Sequence, residues 1–194
     1  MYCGVSLTSA PDELKDDLKK RQQQLIEVLK KAGLTFYDPQ AAPYSPDINL
    51  TSTPQEVYRV DSQGIVARRF FVAHHILPST GLGVEIEKAK FYNRITVILT
   101  DKKIRVSRMQ THQVIYLSYD DFAAQMDEFV AVFNLLKQFD PGVGLYGEIP
   151  VLLGFPKNGG DPIDLEQTVY DQFPQLKYTY DGHVPIIKLQ PVER

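Results

Sequence analysis

The residues best suited to chemistry gather between Asp61 and Ala89. This stretch holds Asp61, an apolar run ending in His74-His75, the loop Ser79-Thr80-Gly81-Leu82-Gly83, and Glu85 just beyond it. A loop that leaves a strand and opens a helix offers free backbone N–H groups to an anion, and its glycines allow close approach. A glutamate in or just after the first helical turn is favoured as the anion, and an ionised carboxylate can attack an electrophilic carbon. Two carboxylates in different surroundings can divide nucleophile and acid roles. Asp61 and Glu85 are therefore a candidate pair if the fold brings them together.

Each residue also has a plainer reading. Short glycine loops are common, and Ser79 or Thr80 can be an ordinary helix cap. Glu85 can simply favour the helix dipole, with Lys88 three residues on as an ion-pair partner and Glu87 solvated. From its spacing alone, Asp61 reads first as a helix-surface residue. His74-His75 lack a third ligand at metal-binding spacing, which points to the core or a cleft wall. Arg68-Arg69 and Lys102-Lys103 read as solvated ends of elements. Cys3 reads as a small buried hydrophobe.

The elements that must position these residues are legible in outline. Tyr2 to Leu7 is a short apolar strand. Leu14, Leu18, Leu25, Val28, Leu29 and Ala32 form one face of a helix closed by Gly33. Leu34 to Tyr37 reads as a second strand, and the Pro-rich segment 41–53 as a long loop, a candidate lid. Thr53-Pro54 with Glu56 signals a helix start, and that helix carries Asp61. Phe70 to Leu77 is apolar without alternation, as in a central parallel strand. A helix from Gly81 to Tyr92, strands at 95–99 and 114–117, and a last helix with Phe122, Met126, Phe129, Phe133 and Leu136 complete the core. This alternation gives a parallel sheet covered on both faces. From Asp140 the texture changes, and only 149–153 and 184–189 read as strands.

At 194 residues, one domain with an appended extension is expected. The net charge of −3 gives no electrostatic footprint for nucleic acid. The lone Cys3 and the lack of a signal peptide fit a reducing cytoplasm. No apolar run is long enough for a membrane span.

Taken together, the sequence resembles the nucleoside 2-deoxyribosyltransferase family, including its nucleoside 5′-monophosphate N-glycosidase relatives. Asp61-Ser-Gln-Gly-Ile65 is similar to the family's Asp-x-x-Gly-Ile segment. Gly81-Leu-Gly-Val-Glu85-Ile-x-x-Ala89 is similar to its Gly-x-Gly-x-Glu-Leu-Gly-x-Ala helix start, and Tyr2-Cys-Gly4 to its first strand. The resemblance runs from about Met1 to Phe139. It implies an α/β, flavodoxin-like (Rossmann-like) three-layer sandwich with a five-stranded parallel sheet in residues 1–140. Residues 141–194 are then a C-terminal extension that packs on the core or on a neighbouring subunit. It also implies cleavage of the N-glycosidic bond of a (deoxy)nucleoside or its 5′-monophosphate, without metal or organic cofactor. Glu85 is the implied nucleophile. Asp61 contacts and protonates the leaving base, and Tyr2 holds the Glu85 carboxylate. Gly4, Ser6 and Thr8 line the site, with Ser79, Gly81 and Gly83 in the binding loop. A homodimer or larger homo-oligomer is implied as well.

Two departures stand out. Ile86-Glu87 replaces the family's Leu-Gly after the glutamate. Ser79 stands where the transferases carry an aspartate for the sugar 5′-hydroxyl, and the N-glycosidases share its Pro-Ser. A hydroxyl at a helix N-terminus suits a 5′-phosphate, which a carboxylate would repel. A nucleotide-binding sensor that keeps the fold without turnover is the alternative from another class. A generic dinucleotide-binding module is disfavoured, because no Gly-x-Gly-x-x-Gly follows the first strand.

Overall fold

A computed structural model of the chain describes residues 1–5, 12–39, 52–77, 79–104, 106 and 112–179. Four strands form a parallel sheet: β1 (Tyr2–Val5), β2 (Phe70–His75), β3 (Ile95–Asp101) and β4 (Ile115–Tyr119), in that spatial order. The strands are almost wholly buried, as expected for a sheet covered on both faces.

Alternate residues of each strand face different helices. Cys3, Val72, Val97, Leu99, Ile115 and Leu117 pack with α1 (Asp12–Lys31) and α4 (Met126–Leu136). Tyr2, Phe71, Ala73, Ile98 and Tyr116 pack with α2 (Pro54–Val66) and α3 (Thr80–Phe91). Three layers result. The predicted face of α1 is buried through Leu18, Leu25, Val28, Leu29 and Ala32, while Leu14 remains exposed. Gly33 stands just past α1 with φ 67°, the left-handed conformation glycine adopts without penalty.

The expected fifth parallel strand is not formed among the described residues. Leu34 to Tyr37 contributes one parallel bridge, Tyr2 to Tyr37, at the β1 edge. Cys3 N–H donates to Tyr37 O at 3.0 Å and Tyr37 N–H to Met1 O at 2.7 Å. Pro39 follows within two residues and cannot donate to a ladder. The segment still occupies the edge beside β1, the position of the second strand in a flavodoxin-like order.

Phe122 lies in the turn before α4, where Asp121 Oδ1 accepts from Ala123 N–H at 2.9 Å. That helix is not the last. An antiparallel hairpin of β5 (Phe139–Tyr146) and β6 (Ile149–Pro156) follows, then a two-residue β7 (Ile163–Asp164) and α5 (Leu165–Gln172). The hairpin turns at Gly147-Glu148 with only Gly147 at positive φ (62°), the pattern of a type II′ turn. Glycines at 142 and 144 lie under the Phe155 and Leu153 side chains of the facing strand. The described part of the extension packs on the β4 edge. Leu152, Leu165, Val169 and Leu176 join the α1–α4 core, and Ser118 Oγ donates to Lys177 O at 2.9 Å. The expected strand at 184–189 lies outside the described residues.

Candidate active site

Two helix starts aim the candidate residues at β1. Thr53 caps α2 in a reciprocal box: its side chain accepts from Glu56 N–H, and Glu56 Oε2 accepts from Thr53 N–H at 2.8 Å. Asp61 sits two turns further on. Ser79 caps α3 by accepting from Leu82 N–H at 3.3 Å. Glu85 stands six residues past that cap, about 9 Å along the axis, and so in the second turn.

The two helices pack side by side and bring both carboxylates to the neighbourhood of one phenol. The Tyr2 hydroxyl donates to Glu85 Oε1 at 2.8 Å. Asp61 stands near enough to act on the same hydroxyl electrostatically. Two aromatic rings fix Tyr2, which is fully buried. Its ring stacks on Phe71 at 5.5 Å and on Tyr37 at 5.7 Å. Gly64 of α2 completes the seat, for a Cβ there would stand 3.0 Å from the Tyr2 ring. Gly4 serves the other carboxylate oxygen: a Cβ at Gly4 would stand 3.0 Å from Glu85 Oε2. Only glycine lets the carboxylate lie this close over the strand.

Burial sets the protonation of the group. It pushes the Glu85 carboxyl up to about 7; the Tyr2 hydrogen bond pulls down and the nearby Asp61 charge pushes up. The sequence-based expectation of a permanently ionised Glu85 is thus corrected. The carboxylate lies beyond the first turn, where the helix dipole has faded, and it is turned inward, where desolvation dominates. Asp61 is also raised, by burial, against an opposing pull from Tyr2. Burial and the two carboxylates together hold Tyr2 far above the usual phenol range.

Tyr2, Gly4, Asp61 and Glu85 are brought together. Ser79 and Gly81 stand at the start of α3, where a Cβ at Gly81 would lie 3.7 Å from Ser79 Oγ, and Gly83 N–H donates to Ser79 O at 3.1 Å. Ser6 and Thr8 lie outside the described residues, as do Pro78 and the segment 40–51.

Two further expectations are corrected. Lys88 does not pair with Glu85. It turns to α2, donating to Ser62 Oγ and lying 3.7 Å over the Tyr58 ring, because its side of α3 faces α2 and not the sheet. Arg68 and Arg69 are not solvated ends. Arg68 donates to Gly64 O at 2.8 Å and covers the Tyr37 ring at 4.6 Å; Arg69 donates to Lys137 O at 3.2 Å. Other readings agree with the structure. Glu87 is exposed and pairs with Lys90 at 2.8 Å. Cys3 is buried, which pushes its thiol up to about 12. His74 is buried on the α1–α4 face against Tyr119 and Phe122, and burial brings its imidazole down to about 3. Among the described residues no group of three or more His, Cys, Asp or Glu side chains is placed to hold a metal ion. Nor is any helix there long and apolar enough to cross a membrane.

Sequence reasoning missed Tyr37, Phe71 and the packing role of Gly64. The isolated glycine inside a helix was the available signal for the last.

No protein-family model matches the sequence, and no curated protein does. Among the solved structures similar in shape are two enzymes. One is a 2-deoxyribosyltransferase from Bacillus psychrosaccharolyticus, with TM-score 0.51 and 14% identity over 66% of this chain and 91% of that one. The other is the CMP N-glycosidase BcmB of Clostridium botulinum, with TM-score 0.49 and 19% identity over 66% of this chain and 96% of that one. At these identities the deoxyribosyltransferase likeness shows a shared α/β fold.

Proposed function

We propose that this chain is a cytoplasmic enzyme that cleaves or transfers the N-glycosidic bond of a (deoxy)nucleoside or its 5′-monophosphate. Residues 1–140 form the catalytic domain and 141–194 an extension. The observation that carries the reading is the 2.8 Å hydrogen bond from Tyr2 to Glu85 Oε1, with Asp61 of the adjoining helix close enough to act on both groups electrostatically. The sequence resemblance supports it, as does a fold shared with a 2-deoxyribosyltransferase.

In this reading a Glu85 oxygen attacks the anomeric carbon as the C–N bond breaks, and the base leaves with the bonding electrons. Asp61, raised by burial, gives the base its proton. A glycosyl ester on Glu85 remains. Water then yields the free sugar, or a second base yields a new nucleoside, and Asp61 recovers its proton. Tyr2 fixes the attacking carboxylate. The start of α3, with Ser79, Gly81 and Gly83, receives the 5′ end of the substrate; the separation from Glu85 suits a furanose lying between. A homo-oligomer belongs to the same reading.

The test is incubation with a panel of nucleosides and their 5′-monophosphates, with free base resolved by chromatography. Base release that vanishes in Glu85→Ala is expected, with monophosphates preferred. Binding without release, unchanged in Glu85→Ala, would identify a nucleotide sensor instead.

A further inference from the structure

The hairpin of β5 and β6 leaves the core with apolar side chains uncovered on both faces. Leu145 and Tyr146 at its tip are 72% and 80% exposed, and Val143 and Phe155 are also exposed. Residues 139–156 carry two charged groups, Asp140 and Glu148, both acidic. β5 is an edge strand, and it carries no lysine of the kind that usually guards such edges.

A second uncovered surface lies on α2 and α3. Tyr58, Arg59, Ser62 and Val66 of one helix, Lys88 of the other and Tyr92 at its C-terminal cap line a groove of about 750 Å³. Tyr58 is 57% exposed and Tyr92 41%; Val84 and Phe91 on α3 are exposed as well. The groove is apolar and aromatic and carries two cations, Arg59 and Lys88.

We infer that the hairpin tip of one copy seats in the α2–α3 groove of a second copy, with Glu148 meeting Arg59 and Lys88. Both surfaces are apolar, and their charges are opposite in sign. With roughly 150–250 Å² on a large aromatic side chain, each exposed patch amounts to on the order of 400 Å². A reciprocal exchange about a two-fold axis would then bury about 1,600 Å², the size of a standard stable interface. The contact falls on the helices that carry Asp61 and Glu85, since Ser62 and Lys88 belong to the groove. It specifies the homo-oligomer proposed above and is independent of the reaction assigned to the chain.

The test is the mass of the full chain in solution, by light scattering and sedimentation across a concentration series. A species near twice 22.1 kDa is expected. Glu148→Arg and Arg59→Glu, both at exposed positions, should each raise the dimer dissociation constant at least tenfold. The two together should recover most of the loss. Leu145→Lys should weaken the dimer without a change in circular dichroism. A monomeric wild type overturns both the contact and the homo-oligomer. An oligomer indifferent to these substitutions, or single losses that the double variant does not recover, overturns the contact and leaves the oligomer standing. Base release, measured separately, reports on the reaction alone.

Discussion

Glu85 lies between a phenol and a glycine: Tyr2 donates to one carboxylate oxygen at 2.8 Å, and the other rests where a Gly4 Cβ would come within 3.0 Å. The first contact orients the carboxylate and the second lets it approach the strand. Burial of the same group opposes its ionisation, so position and protonation are in tension.

That tension predicts the pH profile. Attack requires the Glu85 anion and departure of the base requires a protonated Asp61, so kcat/KM for the free enzyme should trace a bell with one limb near 7. A profile with no limb near 7 would contradict the burial described here. Initial rates of base release between pH 5 and 9 decide it.

Tyr2→Phe removes the hydrogen bond that favours the charged form of Glu85. The limb near 7 should move to higher pH, and kcat should fall by about ten- to a hundredfold, roughly 1.4–2.7 kcal/mol. The shift of the limb separates this role from general damage to the fold. A lower rate with an unmoved limb would mean that Tyr2 does not tune the carboxylate.

Glu85→Gln should stabilise the protein at alkaline pH. The folded carboxyl titrates near 7, above its unfolded value, so ionisation there weakens the folded state. Wild-type stability is full below the unfolded value and falls as pH rises through about 7. The variant should gain on the order of 1–3 kcal/mol at pH 8 and nothing near pH 4. Urea unfolding at the two pH values measures the difference.

Gly64→Ala tests the seat of Tyr2. In an exposed helix this change gains about 1 kcal/mol from propensity. Here the new methyl would press on the Tyr2 ring at 3.0 Å. We expect no gain in thermal stability and a loss of activity of about tenfold or more. A more stable and fully active variant would show that the ring has room to move.

How much of this was readable in advance varied with the range of the interactions. The capping box at Thr53 and Glu56, the cap at Ser79 and the buried run of β2 are local, and the residue order exposes them. The hydrogen bond between Tyr2 and Glu85 spans 83 positions; no periodicity links them, and only the family resemblance suggested it. Lys88 shows the same limit from the other side. Its spacing from Glu85 was right for a pair, but the rotation of α3 against α2 gave it the Tyr58 ring instead. The Leu34 to Tyr37 strand shrank to one bridge because it is short and ends at Asp38-Pro39. The β5–β6 hairpin passed unrecognised because its glycines and prolines mask the alternation, although Gly147-Glu148 between apolar runs is a hairpin turn.

The Tyr2 hydroxyl sits in the field of two acids but has a single hydrogen, and it gives that hydrogen to Glu85. The carboxyls of α2 and α3 then oppose each other's charge across the phenol. Ionising one makes the other harder to ionise, so the steps of a titration belong to the pair and not to either member. A ligand that favours one charge state of the pair takes up or releases protons as it binds, and its affinity then depends on the buffer around it.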